Sequence, residues 1–363
     1  MQTSVMSLPK TAARIASSVS AAAVLLVAAF MPVSAAPGGG QPYRLPGKCI
    51  ELKVPVSLGD GMPYDQKLAA TYCQPKNWAD GPHQIDVLTA GATYTTSYWN
   101  WPVRPEVYSY VGKTLAAGRA TLAYDRIGTG ESSRPLSTQL TLDAEAYVLH
   151  SIVKVLHFGG YGFQQINSIG HSYGSGIVIK EATTDYGDNA KVSRVVITGY
   201  LHDPRNPIVA TRNYQANQDP KFAGEGLDDG YLTSRPGTRG ISFYSAAGEA
   251  DVIAYDEIQK DVVPRTGFIG YAAQQGAPAG SNMSNSITVP VLAVTGQQDL
   301  IFCSDLAVLD CTNQAAVQAY EAPYYTGAPN FTSYTVPNTG HDVALHPSAD
   351  DSFDQINSWI RTH

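Results

Sequence analysis

From about residue 84 onward, short β-rich runs alternate with stretches of helical spacing. Gln84–Leu88 reads as a strand that runs into Gly91. Arg119–Tyr124, Gln165–Ile169 and Val192–Thr198 read as three more. Between them, Val107–Ala117 and Gly174–Tyr186 have helical character. Leu142–Phe158 is the clearest helix, because Leu142, Ala146, Leu149, Ile152, Val153 and Leu156 fall on one face. Residues 201–288 then break the pattern. They are rich in Gly, Pro, Asp and Tyr, show no clean strand period, and hold a short helical patch near Asp251–Lys260. Alternation returns with a strand at Val289–Thr295, a helix at Asn313–Ala322, a strand at Phe331–Val336 and a closing helix at Ser348–Thr362. Before residue 84, Cys49–Val56 and Ala69–Cys73 read as an antiparallel pair. Strand–helix alternation predicts an α/β fold, a doubly wound and mostly parallel sheet with helices on both faces. Residues 36–200 and 289–363 form its core, and residues 201–288 are an insertion after the sixth strand.

The amino-terminal end changes the picture. Lys10 and Arg14 precede an apolar run from Ala21 to Met31, followed by the small residues Val33-Ser34-Ala35. This is the layout of a cleaved export signal over residues 1–35. The run is about half the ~20 residues that a membrane-spanning helix needs. Four cysteines, Cys49, Cys73, Cys303 and Cys311, agree with an oxidising destination. Four allow three pairings, of which Cys49–Cys73 with Cys303–Cys311 is the simplest. No C-x-x-C pair or neighbouring histidine pair suggests zinc. The formal charge is −7 with no basic stripe. Phosphate binding needs clustered Lys and Arg, so nucleic acid is excluded as a partner, as is docking on an anionic membrane surface.

The strongest chemical signal is Gly170-His171-Ser172-Tyr173-Gly174, with a β-branched strand before it and a helix after it. In this G-x-S-x-G setting a sharp strand-to-helix turn holds the serine hydroxyl above the sheet edge, and side chains at the glycine positions would clash. A serine hydroxyl is a weak nucleophile and needs a base that an acid orients. Asp299 follows the strand Val289–Thr295, and His341 follows the strand Phe331–Val336. Both lie past carboxyl ends of strands, at the edge that carries Ser172. The competitors are His346 and His363 for the base, and Asp203, Asp305 and Asp310 for the acid. Pro347 directly after His346 favours a turn there. His171 points its side chain away from that of Ser172 and reads as support for the site.

Four segments together resemble the α/β-hydrolases, of the large group with a cap after the sixth strand. They are Thr89-Ala90-Gly91-Ala92-Thr93, the turn Tyr124-Asp125-Arg126-Ile127-Gly128-Thr129-Gly130-Glu131-Ser132, the nucleophile turn, and the Asp299 and His341 pair. The likeness covers roughly residues 50–363. It implies Ser172 as nucleophile, His341 as base, Asp299 as orienting acid, and residues 201–288 as a cap or lid. The backbone N–H groups of Tyr173 and Ala92 would form the oxyanion hole, with Thr93 as the alternative second donor. Ala90 stands where the family usually has a histidine that holds this loop. Asp125, on a Gly-rich turn, reads as structural.

The expected activity is that of a secreted carboxylic-ester hydrolase, lactonase or lipase-like, working without cofactor or metal. The substrate is expected to be a small apolar or aromatic ester or lactone. Tyr94, Tyr98, Trp99 and Trp101 after the oxyanion loop are candidates for packing or for lining such a pocket, as are Tyr214, Phe222, Tyr231, Phe243, Tyr244, Tyr255, Phe268 and Tyr271 in the insertion. Two other readings stand beside it. A peptidase or amidase would use Glu225, Asp228 or Asp229 to anchor a substrate amine. A non-catalytic binding protein would use the same scaffold without the chemistry.

Overall fold

A computed structural model describes residues 43–204, 212–303 and 309–363. The export segment expected at residues 1–35 lies outside the described residues. The main sheet has eight strands: β1 (Gly47–Val56), β2 (Gln66–Pro75), β3 (Gln84–Thr89), β4 (Ala120–Tyr124), β5 (Gln165–His171), β6 (Arg194–Thr198), β10 (Val291–Gly296) and β11 (Phe331–Val336). Their order is β1-β2-β4-β3-β5-β6-β10-β11. β1 and β2 are antiparallel to their neighbours, and the rest pair in parallel. The chain moves one way from β3 to β4 and the other way to β5. Ligand crevices in such sheets open beyond the carboxyl ends of the strands at this reversal.

β4, β6 and β10 are buried along their length because both faces of the sheet are covered. On one face lie α3 (Leu142–Phe158) and α4 (Tyr173–Thr183), whose Leu149, Val153, Ile177 and Val178 pack on Val87, Ile166 and Val195. On the other lie α2 (Tyr110–Ala116) and α8 (Ala349–Thr362), whose Val111, Phe353, Ile356 and Ile360 pack with Leu88, Ile169, Val196 and Leu292. α3 has the bounds that its apolar spacing predicts. Thr141 caps it by accepting the Ala144 N–H at 3.1 Å, and Asp143 and Glu145 sit in the first turn, where acidic side chains suit the helix dipole.

Two expectations need correction. The single helix expected at Val107–Ala117 is two, α1 (Pro105–Tyr108) and α2, broken at Ser109. Ser109 leaves helical angles and uses its hydroxyl to cap α2, accepting the Gly112 N–H at 2.8 Å. The stretch without a strand period contains a small antiparallel sheet, β7 (Asn213–Gln215), β8 (Tyr231–Ser234) and β9 (Val263–Pro264). Strands of two to four residues are too short to show a period of two. The same stretch carries α5 (Arg239–Phe243), α6 (Ala250–Gln259) and α7 (Arg265–Gln275). The sequence hides α7, because Gly267 and Gly270 lower its helix propensity and its apolar residues form no stripe.

Both cysteine pairs are bridged. Cys49 and Cys73 face each other across β1 and β2, and Cys303 joins Cys311. Peptide mapping without reduction should therefore recover two cross-linked pairs and no free thiol. A Cys73–Cys303 linkage would contradict this arrangement. Among the described residues, no helix is long and apolar enough to cross a membrane.

Candidate active site

Ser172 sits between β5 and α4 with φ 51° and ψ −118°, a conformation that L-residues rarely adopt. The flanking glycines make the turn possible. A Cβ on Gly170 would lie 2.6 Å from the Gly174 carbonyl, and one on Gly174 would lie 2.3 Å from Thr89 O. The Ser172 N–H donates to Thr198 O at 2.8 Å, which ties the turn to β6.

Asp299 and His341 meet as their positions past β10 and β11 predict. His341 Nδ1 lies 2.8 Å from Asp299 Oδ2, and both groups are buried. Asp299 is itself held, since its Oδ1 accepts the Ile301 N–H at 2.9 Å and its carbonyl accepts the Cys303 N–H at 2.8 Å. The Cys303–Cys311 bridge thus anchors the residue that closes the Asp299 turn. Burial pushes the His341 pKa down, but the charge and hydrogen bond of Asp299, with the charge of Asp342, outweigh it. The net shift is upward.

The competing groups are occupied elsewhere. His346 is buried and serves the backbone: its Nε2 accepts N–H groups of Ser245 and Gly340, both at 3.0 Å, and its Nδ1 donates to Asp342 O at 2.8 Å. Burial holds its pKa below the ordinary value. His363 stacks on Trp359 at the chain end. Asp310 caps its own turn through Thr312, Asp203 follows β6 and contacts Tyr320, and Asp305 lies outside the described residues. Asp125 accepts the N–H groups of Thr96 and Glu131 and holds the Gly-rich turn together. Of the acidic groups considered as amine anchors, Asp228 binds Ser137 and the Gly230 N–H, Glu225 pairs with Arg134, and Asp229 accepts from Asn217.

The loop Thr89–Thr93 lies against the Ser172 turn. A Cβ on Gly91 would come within 3.2 Å of Ser172 Cβ. Tyr173 opens α4, where N–H groups have no intrahelical acceptor. The Ala92 N–H donates to no protein acceptor among the described residues. The work of the missing histidine at Ala90 falls to several groups that the sequence does not announce. Arg126 Nη2 donates to Gly91 O at 3.1 Å, and its other nitrogen pairs with buried Glu145 at 3.2 Å. Glu145 also accepts the Tyr173 hydroxyl at 2.8 Å, so one carboxylate braces both the loop and the nucleophile turn. Arg239, from α5, donates to Thr93 Oγ1 at 2.7 Å and lies over the Tyr94 ring. Thr93 needs this support, having φ 61°.

Behind His341 lies a buried polar network that sequence reasoning missed. His171 stacks on Tyr98 at 4.2 Å and lies 5.0 Å, ring to ring, from His341. Its Nε2 is 3.1 Å from Asp342 Oδ1, and its Nδ1 is 3.1 Å from Thr198 Oγ1. Burial, then repulsion from His341, holds its pKa well below the ordinary value. The Tyr94 hydroxyl meets both Asp342 and Asp256, and Arg239 pairs with Asp256 at 2.8 Å. One phenol proton serves two carboxyls, which favours one of them in its acid form. Burial pushes Asp256 up to about 6 against the Arg239 charge. His171, His341 and Asp342 cluster closely enough to suit a cation. Both ring nitrogens of His171 and both carboxylate oxygens of Asp342 already have protein partners, however, so these two residues read as part of the hydrogen-bonded frame. Most of the aromatic candidates are packing: Tyr98, Trp99 and Trp101 are buried in the core. Phe243 and Tyr271 do approach the site, Phe243 at 5.6 Å from the His341 ring.

Residues 87–350 match the profile of a family described as "Alpha/beta hydrolase family". No curated protein matches the chain in sequence. Solved structures do. A soluble variant of the monoglyceride lipase from Saccharomyces cerevisiae is 14% identical, with 89% of this chain and 99% of that one covered at a TM-score of 0.58. A carboxyl esterase from Bacillus coagulans is 15% identical, covering 86% and 98% at 0.58. A bromoperoxidase from Bacillus anthracis is 14% identical, covering 85% and 99% at 0.54. At these identities the likeness is one of fold.

Proposed function

The chain belongs to the alpha/beta hydrolase family, and from that premise we propose that it is a secreted serine hydrolase that cleaves carboxylic esters or lactones. The observation that carries this reading is the buried 2.8 Å contact of His341 Nδ1 with Asp299, beside a serine held at φ 51°. Ser172 Oγ attacks the carbonyl carbon, and its proton passes to His341 Nε2. Asp299 fixes the Nδ1–H tautomer and stabilises the imidazolium. The N–H groups of Tyr173 and Ala92 receive the oxyanion, each contributing about 3–4 kcal/mol by analogy with such donors. His341 then protonates the leaving alcohol. Water repeats the sequence on the acyl-enzyme. Nothing in this scheme calls for a metal or cofactor.

Export of residues 1–35 fits the two disulfides, which persist in oxidising compartments. Residues 201–288 act as the cap. Phe243 lies 5.6 Å, ring to ring, from His341, and an aromatic wall there favours bulky apolar acyl or alcohol groups over short ones. Ester cleavage is preferred over the peptidase reading because Glu225, Asp228 and Asp229 are engaged with neighbours of their own. The names of two fold neighbours, a monoglyceride lipase and a carboxyl esterase, agree with that preference.

The test is labelling of the mature protein with a fluorophosphonate, followed by hydrolysis of matched aryl esters and aminoacyl amides with and without EDTA. Expected are one label on Ser172, faster turnover of a bulky ester than of the acetyl ester, little amide cleavage, and no effect of EDTA. An unlabelled protein would support a binding role instead, and preferential amide cleavage would support the peptidase.

A further inference from the structure

The Ala92 N–H belongs to a peptide group whose other end is gripped. In a trans peptide the C=O and the following N–H lie in one plane and point in opposite directions. Whatever fixes the Gly91 carbonyl therefore aims the Ala92 N–H. Two donors fix it, Arg126 Nη2 at 3.1 Å and the Tyr94 N–H at 3.2 Å. Together they use both lone pairs of the oxygen. The turn that carries Ser172 closes the other side, where a Cβ on Gly91 would meet His171 Cδ2 at 2.9 Å.

Arg126 is held in turn. Its Nη1 pairs with Glu145 Oε2 at 3.2 Å, and its guanidinium carbon lies 5.0 Å from the centre of the Tyr173 ring. The other oxygen of Glu145 accepts the Tyr173 hydroxyl at 2.8 Å. All three side chains are buried. Cap helix α7 seals them in. A Cβ on Gly267 would overlap the Tyr173 hydroxyl, and one on Gly176 of α4 would overlap the Tyr271 ring, so glycine at both places lets α7 close down. The Arg126–Glu145 pair thus spans the two segments that would build the oxyanion hole. One end grips the peptide that carries the Ala92 N–H, and the other grips the side chain of Tyr173.

We propose that Arg126 is a positioning residue that, by holding the Gly91 carbonyl, aims and polarises the Ala92 N–H of the oxyanion hole. This rests on the proposed hydrolase, with Ser172 as nucleophile and Ala92 as second donor. Arg126 acts through the peptide in two ways. Its hydrogen bond fixes the plane. Its charge, in a site shielded from water, draws electron density toward Gly91 O and makes the Ala92 N–H a stronger donor. Both effects count only where negative charge has gathered on the substrate oxygen. The tetrahedral intermediates of acylation and of deacylation carry that charge, and the neutral bound ester does not. Both chemical steps therefore depend on Arg126, and ester binding does not.

Arg126→Met should lower kcat on an aryl ester roughly tenfold to a hundredfold, short of the loss of a whole oxyanion donor. KM should stay within about twofold, because an interaction made only in the transition state lowers kcat and kcat/KM alike. Affinity for an aryl trifluoromethyl ketone should fall by the same factor as kcat/KM. Ser172 Oγ adds to the carbonyl carbon of that ketone, the serine proton goes to His341, and the adduct leaves an oxyanion in the hole. Arg126→Lys keeps the charge without the two-armed geometry, and should recover about threefold or more of the lost kcat. Thermal unfolding checks that the variants are folded. If Arg126→Met is not, Arg126→Met with Glu145→Gln leaves no unpaired buried charge, and the parallel loss must appear there. A raised KM at unchanged kcat, a loss of kcat at undiminished ketone affinity, or no recovery with lysine would overturn the role of Arg126 and leave Ser172 in place. Wild-type protein that neither hydrolyses esters nor takes a fluorophosphonate would overturn the hydrolase reading and this proposal with it.

Discussion

Ser172→Ala is expected to fold as the wild type does and to lose about 10⁶ in turnover on any ester the enzyme cleaves. The side chain it removes is small, and the turn that holds it is kept by Gly170 packing on Gly174, by Gly174 packing on Thr89 and by the Ser172 N–H on Thr198, none of which needs the hydroxyl. His341→Ala should reach the same floor. The double variant should be no worse than either single one, because nucleophile and base act as a unit. His346→Ala separates chemistry from support. It strips the acceptor from the buried Gly340 N–H and the half-buried Ser245 N–H, and a donor from Asp342 O. It should therefore cost about 1–3 kcal/mol of stability for each group left unpaired, with a far smaller loss of turnover per folded molecule. Melting curves read beside active-site titration tell these effects apart. A fully active Ser172→Ala would end the triad assignment, and a dead but well-folded His346→Ala would move the base within the loop.

What could be read from the sequence follows a physical line. The nucleophile turn is legible because its residues are adjacent and sterically forced, so five consecutive letters carry it. Asp299 and His341 are legible because strands end visibly and the chemistry sits at one end of the sheet. The frame around them is not. Arg126 and Glu145 join from a turn and a helix to brace Gly91 and Tyr173, and nothing local marks either as more than an ordinary charged residue. Asp342 stands beside His341 in the sequence, yet its role depends on His171, Tyr94 and Arg239 arriving from three other segments. Tyr271 is harder still. It lies on a helix without an apolar stripe, and its seat against α4 depends on a glycine some 95 positions earlier. Local pattern reports what adjacent residues impose on each other, and a buried polar network is assembled from distant ones.

Asp299→Asn is expected to cost about 10⁴ in turnover and, more tellingly, to move the pH dependence that remains. The size of the loss comes from tautomer choice. A carboxylate can only accept from His341 Nδ1, which leaves Nε2 as the base, whereas an amide can donate to Nδ1 and favour the tautomer that cannot take the Ser172 proton. The pH shift comes from charge. In the wild type burial lowers the His341 pKa, and the Asp299 charge and hydrogen bond raise it further than burial lowers it. Activity needs the neutral ring, so the acid limb of kcat/KM should lie above the ordinary histidine value of about 6.5. The stability sign runs the other way. A raised folded-state value means that protonated His341 stabilises the fold below about pH 6.5, and that this contribution is lost as pH rises through the folded value. The enzyme thus becomes active over the same interval in which it gives up that contribution. With asparagine at 299 the largest upward influence on His341 is gone and burial remains, so the acid limb of the residual activity should move to lower pH. The measurement is kcat/KM for an aryl ester between about pH 4 and 9, read as the position of the limb in each protein rather than as the rate alone. A limb that stays in place in Asp299→Asn would mean that Asp299 does not set the titration of His341. Full wild-type activity at about pH 4, well below the value for a free histidine, would mean that no histidine serves as the base.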